Sequence, residues 1–260
     1  MAEDDGLART THLADLAGRT TVVTGAGSGI GRALAVAFAE QGVDVLVVGR
    51  RPDALATTAA LRAGIRAHTA GVSDPADIDG IVEAAATHLG RLDVLVNNAG
   101  MGAPTSLEQI EPAAARQMWA TNVLGPTLLA QAALPYLRDS RGSIVNISST
   151  FGVKPAPRTS MYGACKAALE HLTRSWALEL GEHDVRVNAV APGPTESEAL
   201  GHMGLSPAEI ERLKASERDQ IPLRRRGLPE DIAPWVLALA DPASWVTGQV
   251  IGVDVGYVLA

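Results

Sequence analysis

The chain has 260 residues, of which 47% are hydrophobic, and a formal net charge of −7. That is enough apolar material to bury a full core, and the acidic balance argues against nucleic acid or an anionic membrane surface as the main partner. The start, Met1-Ala2-Glu3-Asp4-Asp5, lacks the basic-then-apolar order of a secretory signal, and no apolar run approaches the roughly 18 residues of a membrane span, so a soluble, cytoplasmic protein is expected. Cys165 is the only cysteine, which excludes an intramolecular disulfide and reads first as a small helix-packing residue. The six histidines show no metal-ligand spacing, so no metal is expected.

After a polar leader to about residue 18, Thr20–Thr24 reads as a short buried strand running into Gly25-Ala26-Gly27-Ser28-Gly29-Ile30-Gly31. The apolar run from Ala33 to Ala39 then continues at helical period. Strand, glycine loop and helix in that order make a phosphate site, because unpaired N–H groups at a helix start attract an anion and glycines let the backbone approach it. The helix should stop near Gly42. A second strand over Val43–Val48 ends in Gly49-Arg50-Arg51-Pro52. The tip of this strand meets the adenosine ribose in a dinucleotide fold; an acid there would take the 2′-hydroxyl, and an arginine would take a 2′-phosphate. Gly49 stands in the acid's place and Arg50 follows, which points to NADP(H) over NAD(H); the bland alternative makes Arg50 and Arg51 soluble loop residues.

The alternation repeats: a helix near Asp53–Ala63, a strand at Ile65–Ala70, a helix over Asp74–Leu89 with Pro75 in its first turn, and a strand at Leu92–Val96. Such alternation predicts a parallel sheet covered on both faces, with ligands beyond the carboxyl ends of the strands. Asn97-Asn98-Ala99-Gly100 leaves the fourth strand at that edge. A long helical region follows, interrupted at Asn122, Gly125 and Pro126, with a weaker kink at Pro135. Gly142–Ile147 is a fifth strand ending in Ser148-Ser149-Thr150-Phe151-Gly152.

Thirteen residues after Ser149 stands Tyr162, with Lys166 four further on. Residues four apart on a helix share a face, so phenol and ammonium point into the same space. Lowering a phenol from about 10 to about 7 takes roughly 4 kcal/mol, and a neighbouring lysine is expected to supply it. Taken alone, the spacing fits a surface pair on an amphipathic helix better. Leu169, Leu172, Trp176 and Leu180 follow at period three to four, a buried stripe or an oligomer face. Val185–Val190 is a sixth strand, broken by Ala191-Pro192-Gly193-Pro194-Thr195. Residues 195–221, with His202, Met203 and Gly204, read as a mobile lid carrying a short helix at about Pro207–Lys214. Arg224-Arg225-Arg226 reads as a solvated loop. Pro229 starts a helix to about Ala240, and Gln249–Val253 is a last strand. No linker or repeat intervenes, so one domain over 1–260 is expected.

With these pieces in place the chain resembles the short-chain dehydrogenase/reductases, and within them the 3-oxoacyl-carrier-protein reductases and other ketoreductases. The resemblance rests on Thr24-Gly25-x-x-x-Gly29-x-Gly31, Asn97-Asn98-Ala99-Gly100, Asn122, Ser149, Tyr162-x-x-x-Lys166 and Pro192-Gly193, in family order over nearly the whole chain. It implies a three-layer Rossmann fold, a doubly wound parallel sheet of about seven strands. It also implies proton exchange between Tyr162 and a carbonyl or alcohol oxygen while hydride moves at the nicotinamide. Lys166 would lower the phenol's pKa and hold the ribose, Ser149 would hydrogen-bond the substrate oxygen, and Asn122 would hold a water leading to Lys166. The cofactor would be held by Gly25, Ser28, Gly29, Ile30 and Gly31 at the phosphates and by Arg50, Arg51 and Val72 at the adenosine end. Asn98, Ala99 and Gly100 would serve the sugar side, and Pro192, Gly193 and Thr195 the nicotinamide end. A homotetramer or homodimer packed through the helix containing Trp176 is implied as well.

Two departures stand out. Gly71 before Val72 replaces a frequent Asp at the adenine, and Asp254-Val255-Gly256 replaces a frequent Asp-Gly-Gly. Phe151, Met161 and Pro194 are expected to shape the substrate pocket. Rival readings are a cofactor sensor or scaffold without turnover, an NAD-dependent alcohol dehydrogenase of the same family, and a sugar-nucleotide epimerase, for which 260 residues leave no room for the usual C-terminal substrate domain.

Overall fold

The computed structural model describes residues 16–202 and 206–260. Residues 1–15 of the leader, and Met203 and Gly204 of the expected lid, lie outside the described residues. The leader ends earlier than its polarity suggested, because Leu16 is buried in the core.

Seven strands form one parallel sheet in the order β3-β2-β1-β4-β5-β6-β7. They are β1 (Thr20–Thr24), β2 (Asp44–Gly49), β3 (Ile65–Thr69), β4 (Val94–Asn97), β5 (Ser143–Ile147), β6 (Arg186–Pro192) and β7 (Val250–Val253). In the central strands β1, β4 and β5 every residue is buried, as both-face cover requires, whereas the edge strand β3 carries exposed Arg66. The order reverses between β1 and β4, and a crevice opens there at the carboxyl ends of the strands.

Helices cover both faces. On one side α1 (Gly29–Glu40) and α8 (Pro229–Ala240) pack Leu34, Phe38, Ile232 and Val236 against Val23, Val45 and Val145. On the other, α3 (Pro75–Leu89), α5 (Gly125–Ser140) and α6 (Ser160–Leu180) bring Ile81, Leu129 and Ala177 onto Val22, Leu95 and Ile144. A fully buried side chain of this size contributes about 2 kcal/mol. Local chemistry sets several boundaries. Asp74 accepts from the Ala76 N–H at 3.0 Å to start α3, and Gly90, at φ 73°, ends it in the left-handed region.

Several expected bounds shift. The helix α2 is shorter than expected, Pro52–Ala59, and α7 is longer, Pro207–Gln220, because Ser206 and Glu209 form a reciprocal capping box and the helix continues past Lys214. β6 runs on through Pro192 rather than breaking at Ala191, since the Pro192 position still pairs with Val253. The interruption expected at Asn122 is one π-helical turn, Ala120–Leu124, between α4 (Pro112–Trp119) and α5, while Pro135 lies inside a continuous α5. Such turns concentrate at functional sites.

The basic run also departs from expectation. Arg224 and Arg225 are exposed, but Arg226 is 6% exposed. Its guanidinium donates to Glu196 at 2.8 Å and to the Thr195 carbonyl at 2.8 Å, and also contacts Glu217. Lys214 joins the same Glu196 at 2.8 Å. A cation with this set of partners can be sequestered where an unpaired one could not.

Candidate active site

The glycine loop follows β1 directly. Gly25 sits at φ 66°, and a Cβ on it would lie 2.7 Å from Ala99 Cα; one on Gly31 would lie 2.5 Å from Asn98 Nδ2. These glycines therefore let β1's exit press against β4's. Asn98 uses its side-chain amide for that junction, donating to the Thr24 carbonyl at 2.8 Å, and Thr24 Oγ1 accepts from the N–H groups of Asn98 and Ala99 at 3.0 Å each. Thr58 and Arg32 brace the loop from outside, Thr58 donating to the Ala26 carbonyl at 2.9 Å and Arg32 to Thr58 at 3.1 Å. Neither brace was foreseen, since the two bonds join positions 32 and 26 residues apart in sequence.

Helix α1 begins at Gly29, and its N-cap Ser28 makes no side-chain capping bond. Arg51 donates to Ser28 Oγ at 3.2 Å, while the Arg50 stem lies against Gly71, 3.5 Å from where a Cβ would be. Both arginines are exposed at the tip of β2. This fits a dinucleotide: an uncapped helix start, a glycine cradle and two cations near the expected ribose position. Val72 is buried, with its carbonyl pressed against Gly125, and the Gly71 N–H is taken by Asp77 at 2.7 Å. Glu198, from the segment after β6, approaches Arg51 at 3.7 Å and Arg32 at 3.8 Å, and Ser197 lies over Gly29. Motif reading did not single out these two residues.

At the carboxyl ends of β4 and β5 the remaining residues converge. Asn122 turns both ends of its amide onto Met101, accepting from its N–H at 2.8 Å and donating to its carbonyl at 2.7 Å. Its side chain is thus committed to holding the loop after β4. A Cβ on Gly100 would lie 3.2 Å from Asn122 Oδ1 and 3.5 Å from Lys166 Nζ, so glycine leaves room between them. Ser149 is 8% exposed, and its hydroxyl accepts from the Phe151 N–H at 3.3 Å. The Phe151 ring meets Tyr162 edge-on, with centroids 6.3 Å apart, and Gly102 lies against the Tyr162 ring, where a Cβ would come within 2.7 Å of Cδ2. Lys166 Nζ lies 5.7 Å from the Tyr162 ring centroid and donates to the Ile147 carbonyl at 2.8 Å.

The electrostatics correct one expectation. Burial pushes the Tyr162 phenol above its ordinary value; a hydrogen bond from Ser149 opposes this and Cys165 adds to it. The lysine does not pull the phenol down to neutrality, because its ammonium is directed at Ile147 O and is itself destabilised. Burial draws Lys166 down to about 8, against the opposing effects of Cys165 and Glu170.

At the far end of the crevice, Gly193 donates to the Val253 carbonyl at 3.0 Å, and Thr195 Oγ1 donates to the Gly193 carbonyl at 2.9 Å. In the Asp254-Val255-Gly256 turn, Asp254 accepts from the N–H groups of Gly256 and Val258, with Val255 at φ 49°. Of the Trp176 stripe, Leu169 and Leu180 are buried and Leu172 and Trp176 half-buried, and Leu178 is the exposed large apolar residue of α6.

Fold and crevice define a Rossmann-type nucleotide-binding protein. The family model described as enoyl-(acyl carrier protein) reductase matches residues 25–258. The chain is 36% identical over 250 residues to the 3-oxoacyl-(acyl-carrier-protein) reductase FabG of Thermotoga maritima, covering 94% of this chain and 99% of that one. Its fold superposes, with a TM-score of 0.89 and 31% identity, on a short-chain dehydrogenase/reductase of unknown function from Caenorhabditis elegans crystallised with cofactor, covering 95% and 97% of the two chains. It also superposes, with a TM-score of 0.87 and 32% identity, on a 3-ketoacyl-(acyl-carrier-protein) reductase from Brucella melitensis complexed with NADH, covering 94% and 99%. The chain belongs to the short-chain dehydrogenase/reductase family of nicotinamide-dependent oxidoreductases. Among the described residues no helix is long and apolar enough to cross a membrane.

Proposed function

We propose that this chain is an NADP(H)-dependent reductase of a ketone carbonyl, interconverting it with a secondary alcohol, with Ser149, Tyr162, Lys166 and Asn122 as its reacting centre. The observation that carries the reading is the grouping of Ser149, Tyr162 and Lys166 beyond the ends of β4 and β5, with Gly102 and Phe151 packed on the phenol ring. The nicotinamide, when bound, supplies or accepts the hydride. Tyr162 Oη gives its proton to the carbonyl oxygen, and burial, by keeping the phenol protonated at neutral pH, favours that donating role. Ser149 Oγ hydrogen-bonds the same oxygen and stabilises the charge developing on it. Lys166, held by Ile147 O, sets a positive charge near the phenol and would hold the nicotinamide ribose when the cofactor is bound. Asn122 fixes the Met101 backbone and so the loop that walls the site. Phe151, Met161 and Pro194 would shape the pocket for an apolar substrate.

Reduction of a ketone panel, followed at the reduced-nicotinamide absorbance band, tests the reading. Tyr162→Phe should abolish turnover while leaving cofactor affinity within about twofold. Retained turnover in that variant, or tight NADPH binding with no turnover on any ketone or alcohol in the parent, would sink it.

The preference for NADP(H) is supported by Arg50 and Arg51 at the tip of β2 with Gly49 in place of an acid. A charge-assisted bond to a 2′-phosphate is worth about 1.5–3 kcal/mol, or roughly ten- to more than a hundredfold in affinity. The Arg50→Ala, Arg51→Ala double variant should weaken NADPH binding by about that factor and leave NADH unchanged; equal affinities of the parent for both cofactors would refute the preference. We read the chain further as one domain, with residues 195–221 forming the substrate lid, acting in the cytoplasm as a homotetramer or homodimer.

A further inference from the structure

Glu170 is a buried carboxylate that the proposed reaction leaves without a role. It stands four residues past Lys166 on α6, one helical turn away, and is 2% exposed. Carboxylates are almost never sequestered so completely unless something holds them. Ser148 donates its hydroxyl to Oε1 at 2.8 Å, and that same hydroxyl lies 3.4 Å from the Lys166 carbonyl oxygen. Arg174 approaches Oε2 at 3.9 Å. Gly152 closes the remaining side, where any Cβ would collide with Oε1. One carboxylate thus meets the exit of β5, the Thr150–Gly152 turn and the helix that carries Tyr162 and Lys166.

We propose that Glu170 is a positioning residue for the reacting centre: it bolts the Ser148–Ser149 exit of β5 onto α6 and sets a carboxylate one helical turn past Lys166 as a counter-charge. The proposal rests on the Ser149–Tyr162–Lys166 reading above. A leucine would fill such a site more cheaply, so packing alone does not account for a carboxylate there. The geometry gives it two tasks that a leucine could not perform. Through Ser148 it fixes the residue that precedes Ser149, setting where the Ser149 hydroxyl stands relative to the phenol. Through its charge it opposes, together with Cys165, the burial that draws Lys166 down. Burial pushes the Glu170 carboxyl up as well, and the Ser148 bond, Arg174 and Lys166 hold it down. Arg174 and Lys166, both on α6, are the charges acting on it; β5 and the following turn bring a hydroxyl and a glycine.

The chain has three lysines, Lys154, Lys166 and Lys214, so protein labelled with carbon-13 at lysine Cε gives few signals to assign. Lys154→Arg and Lys214→Arg identify the one from Lys166. In the parent that signal titrates at about 8. In Glu170→Gln, which keeps size and hydrogen-bonding capacity but removes the charge, it titrates at lower pH, and the alkaline limb of kcat/KM moves with it. A Lys166 titration in Glu170→Gln that superimposes on the parent's overturns the proposal. If that variant does not fold, Glu170→Leu takes its place: it removes the same charge and fills the buried site without a polar group, and the Lys166 midpoint again falls. An unchanged midpoint there overturns the proposal equally. The titration reads a proton rather than turnover, so a parent without reductase activity would sink the catalytic reading and still decide this one.

Discussion

Replacing Lys166 with methionine isolates the electrostatic cost of the site. The side chain is 4% exposed, and burial draws its pKa from 10.5 to about 8. The unfolded chain therefore holds this proton more tightly than the folded one. Below about pH 8 folding bears the whole penalty, which is relieved as pH rises from about 8 toward 10.5. The difference, 10.5 less about 8, is about 2.5 units, or about 3 kcal/mol at about 1.4 kcal/mol per unit. Methionine has nearly the same length and no charge, but it loses the 2.8 Å bond to Ile147 O, worth about 2 kcal/mol because its donor is charged. The net expectation at pH 7 is a gain of about 1 kcal/mol, seen as a Tm about 2 °C higher, together with loss of turnover. Urea unfolding of parent and variant at pH 7 and pH 10 measures it, and the gain should vanish at the higher pH. A variant less stable than the parent at pH 7, or one whose gain is the same at both pH values, would refute the reasoning.

Two further substitutions probe the walls of the crevice. Gly102→Ala places a Cβ 2.7 Å from Tyr162 Cδ2, so the ring must shift; a displacement of about 1 Å should lower kcat about a hundredfold while NADPH affinity, measured by fluorescence titration, stays unchanged. Arg226→Met leaves Glu196 and Glu217 without their shared cation and frees the Thr195 carbonyl, which should cost about 3–5 kcal/mol in denaturant unfolding. Glu196, whose carboxyl Lys214 and Arg226 hold below the ordinary carboxylate range against the effect of burial, should then retain its proton to higher pH, so the deficit of this variant should narrow as pH falls through the carboxylate range. A deficit independent of pH would place the loss in packing instead.

What the chain discloses before folding, and what it withholds, divides along a physical line. The strands, the glycine loop and the Tyr162/Lys166 helix were legible because each is written in local terms: a run of β-branched residues, glycines at a strand's end, a four-residue spacing. Even the break at Asn122 showed, although its form as a π turn did not. The misreadings share another cause. Arg226 looked like its two exposed neighbours, and only the fold reveals Glu196 and Glu217 arriving from thirty residues before it and nine before it in the chain. Asn98 was read for a cofactor role alone, and only the fold shows its amide also holding Thr24, seventy-four residues away. The same limit governs the lysine. Its nearness to Tyr162 was readable, but the balance between attraction and desolvation depends on how many atoms shut out water, and no spacing encodes that. A charged residue's identity is therefore local information, whereas its energy belongs to whatever the fold brings around it. Glu170 has the same character as Arg226: a charge at an unremarked helical position, given its significance by Ser148 and Gly152 across the interface.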